Sequence, residues 1–157
     1  MPKREKGAPA QITPKRLGDY LEVMSKSVFQ SGISWDVVEA KWPQLREAFR
    51  SFDADTVARM GEREIDRLAT DTRVIRNRRK IEAIIENANR MIALDKEHGS
   101  FRKYLRSHAD YDALVKDLRK QFKFLGETGC YHFLYVVKEP VPEYHEWRER
   151  HPMERRR

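Results

Sequence analysis

The sequence predicts an all-α fold, a compact single-domain helical bundle, and three observations predict it. Apolar residues recur at helical spacing over most of the chain, most clearly at Ile81, Ile84, Ile85, Ala88, Met91, Ile92 and Leu94. Start and stop residues bracket these runs, as Ser34 does before Trp35 and Gly99 after His98. No run of alternating residues bounded by hairpin turns predicts a strand pair.

Taken in order, Thr13-Pro14 predicts the start of a first helix carrying Leu17, Tyr20, Leu21, Met24 and Val28. Gly32 interrupts, and Ser34 caps a second helix with Trp35, Val37 and Val38, which Trp42-Pro43 is expected to break or kink. Leu45, Ala48 and Phe49 follow; Asp53 or Asp55 caps a short helix that Gly61 stops. Ile65, Leu68 and Ala69 share one helix face, and the long amphipathic helix comes after the polar stretch Asp71-Thr72-Arg73. Phe101 to Leu105 and Tyr111 to Phe122 give two more helices. Phe124 to Val137 reads as a buried final helix after Gly126, ended by Pro140 and Pro142. Residues 1–14 read as a disordered basic tail, 15–139 as the domain, and 140–157 as a charged C-terminal tail, either solvated or a loose phosphate-binding arm.

Composition narrows the function classes. The chain has 157 residues, 36% charged and 10% aromatic, with a formal net charge of +7. A length of this order supports one core, and the aromatic content argues against disorder. The positive excess points to an anionic partner, nucleic acid first and a membrane surface second. Cys130 is the single cysteine, so neither an internal disulfide nor a zinc site with two cysteines can form. The five histidines are scattered, and no apolar stretch approaches a membrane span or a signal-peptide core. The expected location is the cytoplasm.

Two constellations carry chemistry. Glu62 to Ala88 reads as two helices joined by a tight connection in which Arg73, Arg76, Arg78, Arg79 and Lys80 surround Val74 and Ile75. This is a helix-hairpin-helix element without the usual Gly-x-Gly. The N-terminus of its second helix offers free N–H groups to a phosphate, and the cations add sequence-independent affinity. A solvated basic turn is the alternative. The second is Gln30-Ser31-Gly32-Ile33-Ser34-Trp35. Glycine permits close approach of a partner, isoleucine is a small wedge, and tryptophan can stack on a base. A loop glycine with a core isoleucine and tryptophan is the alternative.

These blocks, with Phe49-Arg50-Ser51-Phe52-Asp53, Val74-Ile75-Arg76-Asn77-Arg78-Arg79-Lys80-Ile81, Ala83-Ile84-Ile85, Asn87-Ala88 and Phe122 to Tyr131, resemble the 3-methyladenine DNA glycosylase I family over about residues 17–137. The resemblance implies the all-helical helix-hairpin-helix glycosylase fold. It also implies binding of double-stranded, preferably alkylated DNA by a monomer, and excision of alkylated adenine by base flipping and hydrolysis of the base–sugar bond. It implies a base pocket with Trp35, a plug at Gly32 and Ile33, and a phosphate clamp from Arg73 to Lys80. The position of the family's pocket glutamate is Ser27, so no catalytic residue is assigned. Ser27, Gln30 and Tyr131 are the further pocket candidates, with Tyr20 and Tyr135 behind them. The family's N-terminal segment, which carries a tryptophan, two pocket tyrosines and two zinc ligands, is expected to be missing, as is the C-terminal half of the zinc site. No cofactor and no metal are therefore expected. The other reading is a DNA-binding homologue that has lost excision, a damage sensor or accessory factor.

Overall fold

The computed structural model describes residues 8–151; Met1 to Gly7 and the arginines Arg155, Arg156 and Arg157 lie outside the described part. The described residues form nine α-helices and no strand: α1 (Leu17–Gln30), α2 (Trp35–Ala48), α3 (Ala54–Ala58), α4 (Glu62–Thr70), α5 (Arg78–His98), α6 (Phe101–Leu105), α7 (Tyr111–Gln121), α8 (Glu127–Val136) and α9 (Tyr144–Arg150), with a 3-10 turn at Arg50–Phe52. The all-α expectation holds.

The long helix α5 is the axis. Its apolar stripe buries Ile81, Ile84, Ala88 and Met91 completely, and α1, α3, α4 and α6 pack around it. Helix ends follow local chemistry. Asn77, Ser100 and Asp110 each accept a hydrogen bond from a backbone N–H of the first turn that follows. Gly99 closes α5 at φ +87°, a conformation that glycine adopts freely.

Four expectations need correction. Helix α1 begins at Leu17, because the Asp19 carboxylate accepts the backbone N–H groups of Lys15 and Arg16 (2.9 and 3.2 Å) and caps it there. Pro43 does not break α2, which runs through it to Ala48 with Trp42 and Leu45 packed inward. Gly61 starts α4 rather than ending α3; its N–H is held by the Glu64 carboxylate at 3.0 Å. The C-terminal segment is no solvated tail as far as it is described. Trp147 of α9 is buried, with Tyr131 at 4.4 Å and His151 at 4.8 Å between ring centroids on either side of it.

The N-terminal strap is likewise docked from Gln11 to Thr13. Ile12 N–H donates to Val136 O (2.8 Å), Gln11 Nε2 to Tyr135 O (2.9 Å), and Lys138 Nζ to Thr13 Oγ1 (2.9 Å). A second non-local joint ties α1 to the 3-10 turn. Arg50, Ser51 and Phe52 all have φ near +55°, strained for residues with side chains. Phe52 is fixed by stacking with Trp42 and Phe49 at 5.3 and 5.2 Å. A Cβ on Gly18 would meet Phe52 O at 2.5 Å, so only glycine lets α1 approach this turn.

Candidate functional site

One face of α1 carries Asp19, Glu22, Val23, Lys26, Ser27 and Gln30, and one face of α2 carries Trp35, Glu39, Trp42 and Arg46. These residues repeat at three- and four-residue steps, so each set shares a helix face. The two faces meet across a cavity of about 720 Å³, which His132 and Val136 of α8 and residues 9–13 of the strap close on the remaining sides.

Trp35 stands at the cavity edge, 38% exposed, with its ring edge-on to His132 at 4.5 Å. Its position on the first turn of α2 follows from Ser34 at the N-cap and from Gly32 at φ +79°. No atom lies within 4 Å of where a Gly32 side chain would begin, so the turn is open to close approach. Ile33 is half-buried against the core and its N–H closes the turn onto Gln30 O at 3.2 Å. Ser27 is buried on the cavity wall at the place where the resemblance puts a glutamate. Gly129 on α8 lies opposite it; a Cβ there would stand 3.7 Å from Ser27 Cβ.

Charge enters the cavity through partnered groups. Glu22 accepts Trp42 Nε1–H and Arg46 Nε–H, both at 3.0 Å. Glu39 pairs with Lys26 at 2.6 Å. His132 is held neutral at pH 7: burial, reinforced by the Arg148 charge, pushes its imidazole down to about 4. Thus the cavity offers an aromatic face, a hydroxyl, an amide and a neutral imidazole, ringed by ion-paired carboxylates.

Of the sequence candidates, Trp35, Ser27 and Gln30 come together here beside Gly32 and Ile33. Tyr131 does not. Its hydroxyl donates to Pro142 O (2.9 Å) and its ring is sandwiched in the α8–α9 contact, on the other side of α8 from the cavity wall. Tyr20 is core, edge-on to Phe101 at 5.1 Å. Sequence reasoning gave Glu22 little weight as a substitute for the missing glutamate, and it did not single out His132 or Glu39 for the pocket. The polar stripe on α1 and its counterpart on α2 were the available signal, whereas His132 carries none beyond lying one residue past a matching block.

The basic connection divides in two. Arg73 is bound to Asp71 (2.8 Å) and reaches Glu47 (3.5 Å). Arg78 is surrounded by Asp66, Glu62 and Glu82 at 2.7, 2.9 and 3.1 Å. Lys80 is 5% exposed; its ammonium turns inward and donates to Phe29 O at 3.2 Å and to Ser31 O. Burial lowers its pKa. It therefore cannot serve as a surface phosphate ligand. It is a strut from the first turn of α5 to the end of α1, immediately before Gly32. Arg76 and Arg79 are exposed, and among the described residues neither has an ion-pair partner.

A family model for methyladenine glycosylases matches residues 15–121. The chain belongs to the methyladenine glycosylase family. Among its relatives, the DNA-3-methyladenine glycosylase of Haemophilus influenzae is 31% identical over 126 residues, covering 67% of this chain and 68% of that protein. DNA-3-methyladenine glycosylase 1 of Escherichia coli is 34% identical over 126 residues, covering 67% of each chain. The solved structure of 3-methyladenine DNA glycosylase I from Staphylococcus aureus, described in connection with 3-methyladenine recognition, superposes with a TM-score of 0.71 at 26% identity over 82% of this chain and 79% of its own.

The zinc that the family resemblance brings with it does not fit the residues present. Cys130 is the single cysteine and is fully buried, so at most one thiol could be offered to a metal. Among the described residues no three His, Cys, Asp or Glu side chains are grouped to hold a metal. Among the described residues no helix is long and apolar enough to cross a membrane.

Proposed function

We propose that this protein binds duplex DNA and releases 3-methyladenine from it by hydrolysing the base–sugar bond. The observation that carries the reading is the cavity itself: Trp35, Ser27 and Gln30 line it together, next to the open Gly32–Ile33 turn. Extruding a base leaves a gap in the duplex, and the turn is the nearest protein element to fill it.

The chemistry asks little of a nucleophile. The methylated base carries a positive charge and its glycosidic bond is weak. Water adds its oxygen to C1′, the bond to the base breaks, the base leaves as a neutral molecule, and one proton goes to solvent. What the pocket must supply is an attractive place for a flat cation, and the Trp35 face does that. The Glu22 and Glu39 carboxylates beside it are neutralised by Arg46 and Lys26, so the attraction rests on the ring face. Neutral His132 avoids opposing a cationic base with a second positive charge.

On this reading α4, residues 71–77 and α5 form the helix-hairpin-helix element. Arg76 and Arg79 hold phosphate beside the N-terminus of α5, while Arg73, Arg78 and Lys80 build the scaffold under them. The protein acts as a monomer without a cofactor, in the cytoplasm, and in association with the nucleoid if its cell is bacterial.

The second reading, a DNA reader without excision, rests on Ser27, which puts a neutral hydroxyl where the family's glutamate is expected. One experiment separates the two. Purified protein is incubated with methylated duplex DNA and released bases are measured, with Trp35→Ala alongside. Release of 3-methyladenine that disappears in Trp35→Ala establishes the glycosylase. Tight, salt-sensitive binding without release establishes the reader.

A further inference from the structure

Two lysines tie the Gly32–Ile33 turn to the connection between α4 and α5, and they do so reciprocally. Lys80, on the first turn of α5, donates to Phe29 O at 3.2 Å and to Ser31 O. Lys41, in the second turn of α2, donates to Thr72 O at 3.0 Å and to Val74 O at 3.4 Å. Thus α5 holds the chain that enters the turn, while α2, which leaves the turn, holds the connection. Arg73 of the connection adds a tie to α2 through Glu47 at 3.5 Å.

Packing alone does not ask for these lysines. Lys80 is 5% exposed, so its ammonium exchanges water for two neutral carbonyls. Burying a cation without a carboxylate beside it is costly, and a methionine would fill the same space without that cost. A cation in the first turn of a helix also opposes the dipole. Among the described residues neither lysine has an ion-pair partner. What they reach are backbone carbonyls of the opposite link. At the end of α1 the Ser31 N–H takes Ser27 O and Val28 O, and the Ile33 N–H takes Gln30 O. Phe29 O and Ser31 O are left to Lys80.

The two links have different tasks on DNA. The connection brings the exposed Arg76 and Arg79 to phosphates, and the turn carries the open Gly32 beside Ile33. Phosphate contacts set the register of a duplex, so a wedge fills the gap of an extruded base only if it stands at a fixed place relative to them.

We infer that Lys41 and Lys80 are positioning residues, a cross-brace that sets the Gly32–Ile33 turn against the phosphate-holding connection so that gripping the backbone drives the turn into the duplex. This rests on the duplex-binding reading above. It assigns the two lysines to base extrusion and not to affinity for plain duplex, where Arg76 and Arg79 act.

The test uses the full chain and the double variant Lys41→Met with Lys80→Met, each assayed below its own melting temperature. The probe is a duplex with a tetrahydrofuran abasic analogue and 2-aminopurine as its neighbour in the same strand. The unmodified protein should raise the 2-aminopurine fluorescence at saturation, and the double variant should lose most of that rise. On methylated duplex its rate of 3-methyladenine release at saturation should fall by roughly ten- to a hundredfold, the scale of a small misplacement caused far from the chemistry. Affinity for plain duplex and its salt slope should not change. Leu94→Ala, in the core near the other end of α5, is the stability control: it lowers the melting temperature and should keep both the rise and the rate. Full fluorescence and full rate in the double variant overturn the brace and leave the glycosylase reading standing. A salt slope that falls by about two overturns it as well, because the lysines would then only hold the phosphate-binding arginines in place. Equal losses in Leu94→Ala overturn it, since stability alone would explain them. So does an unmodified protein that binds without raising the fluorescence, because the turn then does not enter. Where the unmodified protein releases no base, the fluorescence decides alone. Absence of salt-sensitive duplex binding in the unmodified protein removes the duplex reading and the brace together.

Discussion

The turn from Gln30 to Trp35 and the connection from Asp71 to Lys80 are both short links between helices that the sequence marks as DNA-facing, yet they come out differently. The turn presents its residues much as their types suggest: Gly32 open, Trp35 exposed, Ile33 half-buried. The connection has five cations, and three of them are engaged by groups of the protein itself. Two arginines are ringed by carboxylates and one lysine is buried under the turn. An open conformation is a local property, set by a glycine and a cap. A free charge is not, because any carboxylate that the fold brings within 4 Å takes it up, and the sequence does not show which will.

The sharpest ways to break this comparison act on the supports of the two regions. His132 backs Trp35 as a neutral imidazole. Folded, it takes a proton only near pH 4, whereas an unfolded chain's imidazole takes it near 6.5. Its contribution is therefore complete above pH 6.5, falls as pH drops from 6.5 toward 4, and changes no further below. At 1.36 kcal/mol per unit the loss reaches up to about 3 kcal/mol. Melting curves across that range should show it, and His132→Phe should flatten it.

Lys80 comes next. Lys80→Met removes charge-assisted hydrogen bonds to Phe29 O and Ser31 O and should cost about 2 kcal/mol, a drop of roughly 4–8 °C in melting temperature by calorimetry. A surface phosphate ligand would lose under about 0.5 kcal/mol on the same change. A stable Lys80→Met would return this lysine to the interface.

Trp35→Ala should reduce the preference for methylated over plain duplex by roughly tenfold, about one stacking contact, with the fold intact because the ring is already exposed. Filter binding on matched duplexes measures it; loss of the folded state would show that Trp35 is core.

The smallest effect discriminates within the connection. Arg76→Ala with Arg79→Ala should lower the slope of log affinity against log salt by about two, one per lost phosphate contact. Arg73→Ala with Arg78→Ala should change it by less than one, because those guanidinium groups already face carboxylates. Equal slopes for the two pairs would erase the division.

Most of the fold was legible because helix formation is local. The apolar stripe of α5, the caps at Asp53, Asn77 and Asp110, and the stop at Gly99 all act within a turn or two of themselves. The errors lie where a distant partner overrides the local signal. Trp147 makes α9 part of the body because Tyr131 and His151 flank it, although its neighbours are a run of charges.

The sequence by itself determined the first eight helices, the open Gly32 turn and the membership of a family, since each depends on residues near one another or on blocks in a fixed order. Only the tertiary structure decided which charges are free, that Ser27 and His132 line one cavity with Trp35, and that Asn87 holds the Lys123 peptide beside Phe124. Each of these depends on groups far apart in the chain reaching hydrogen-bond or van der Waals distance, which spacing along one helix cannot specify.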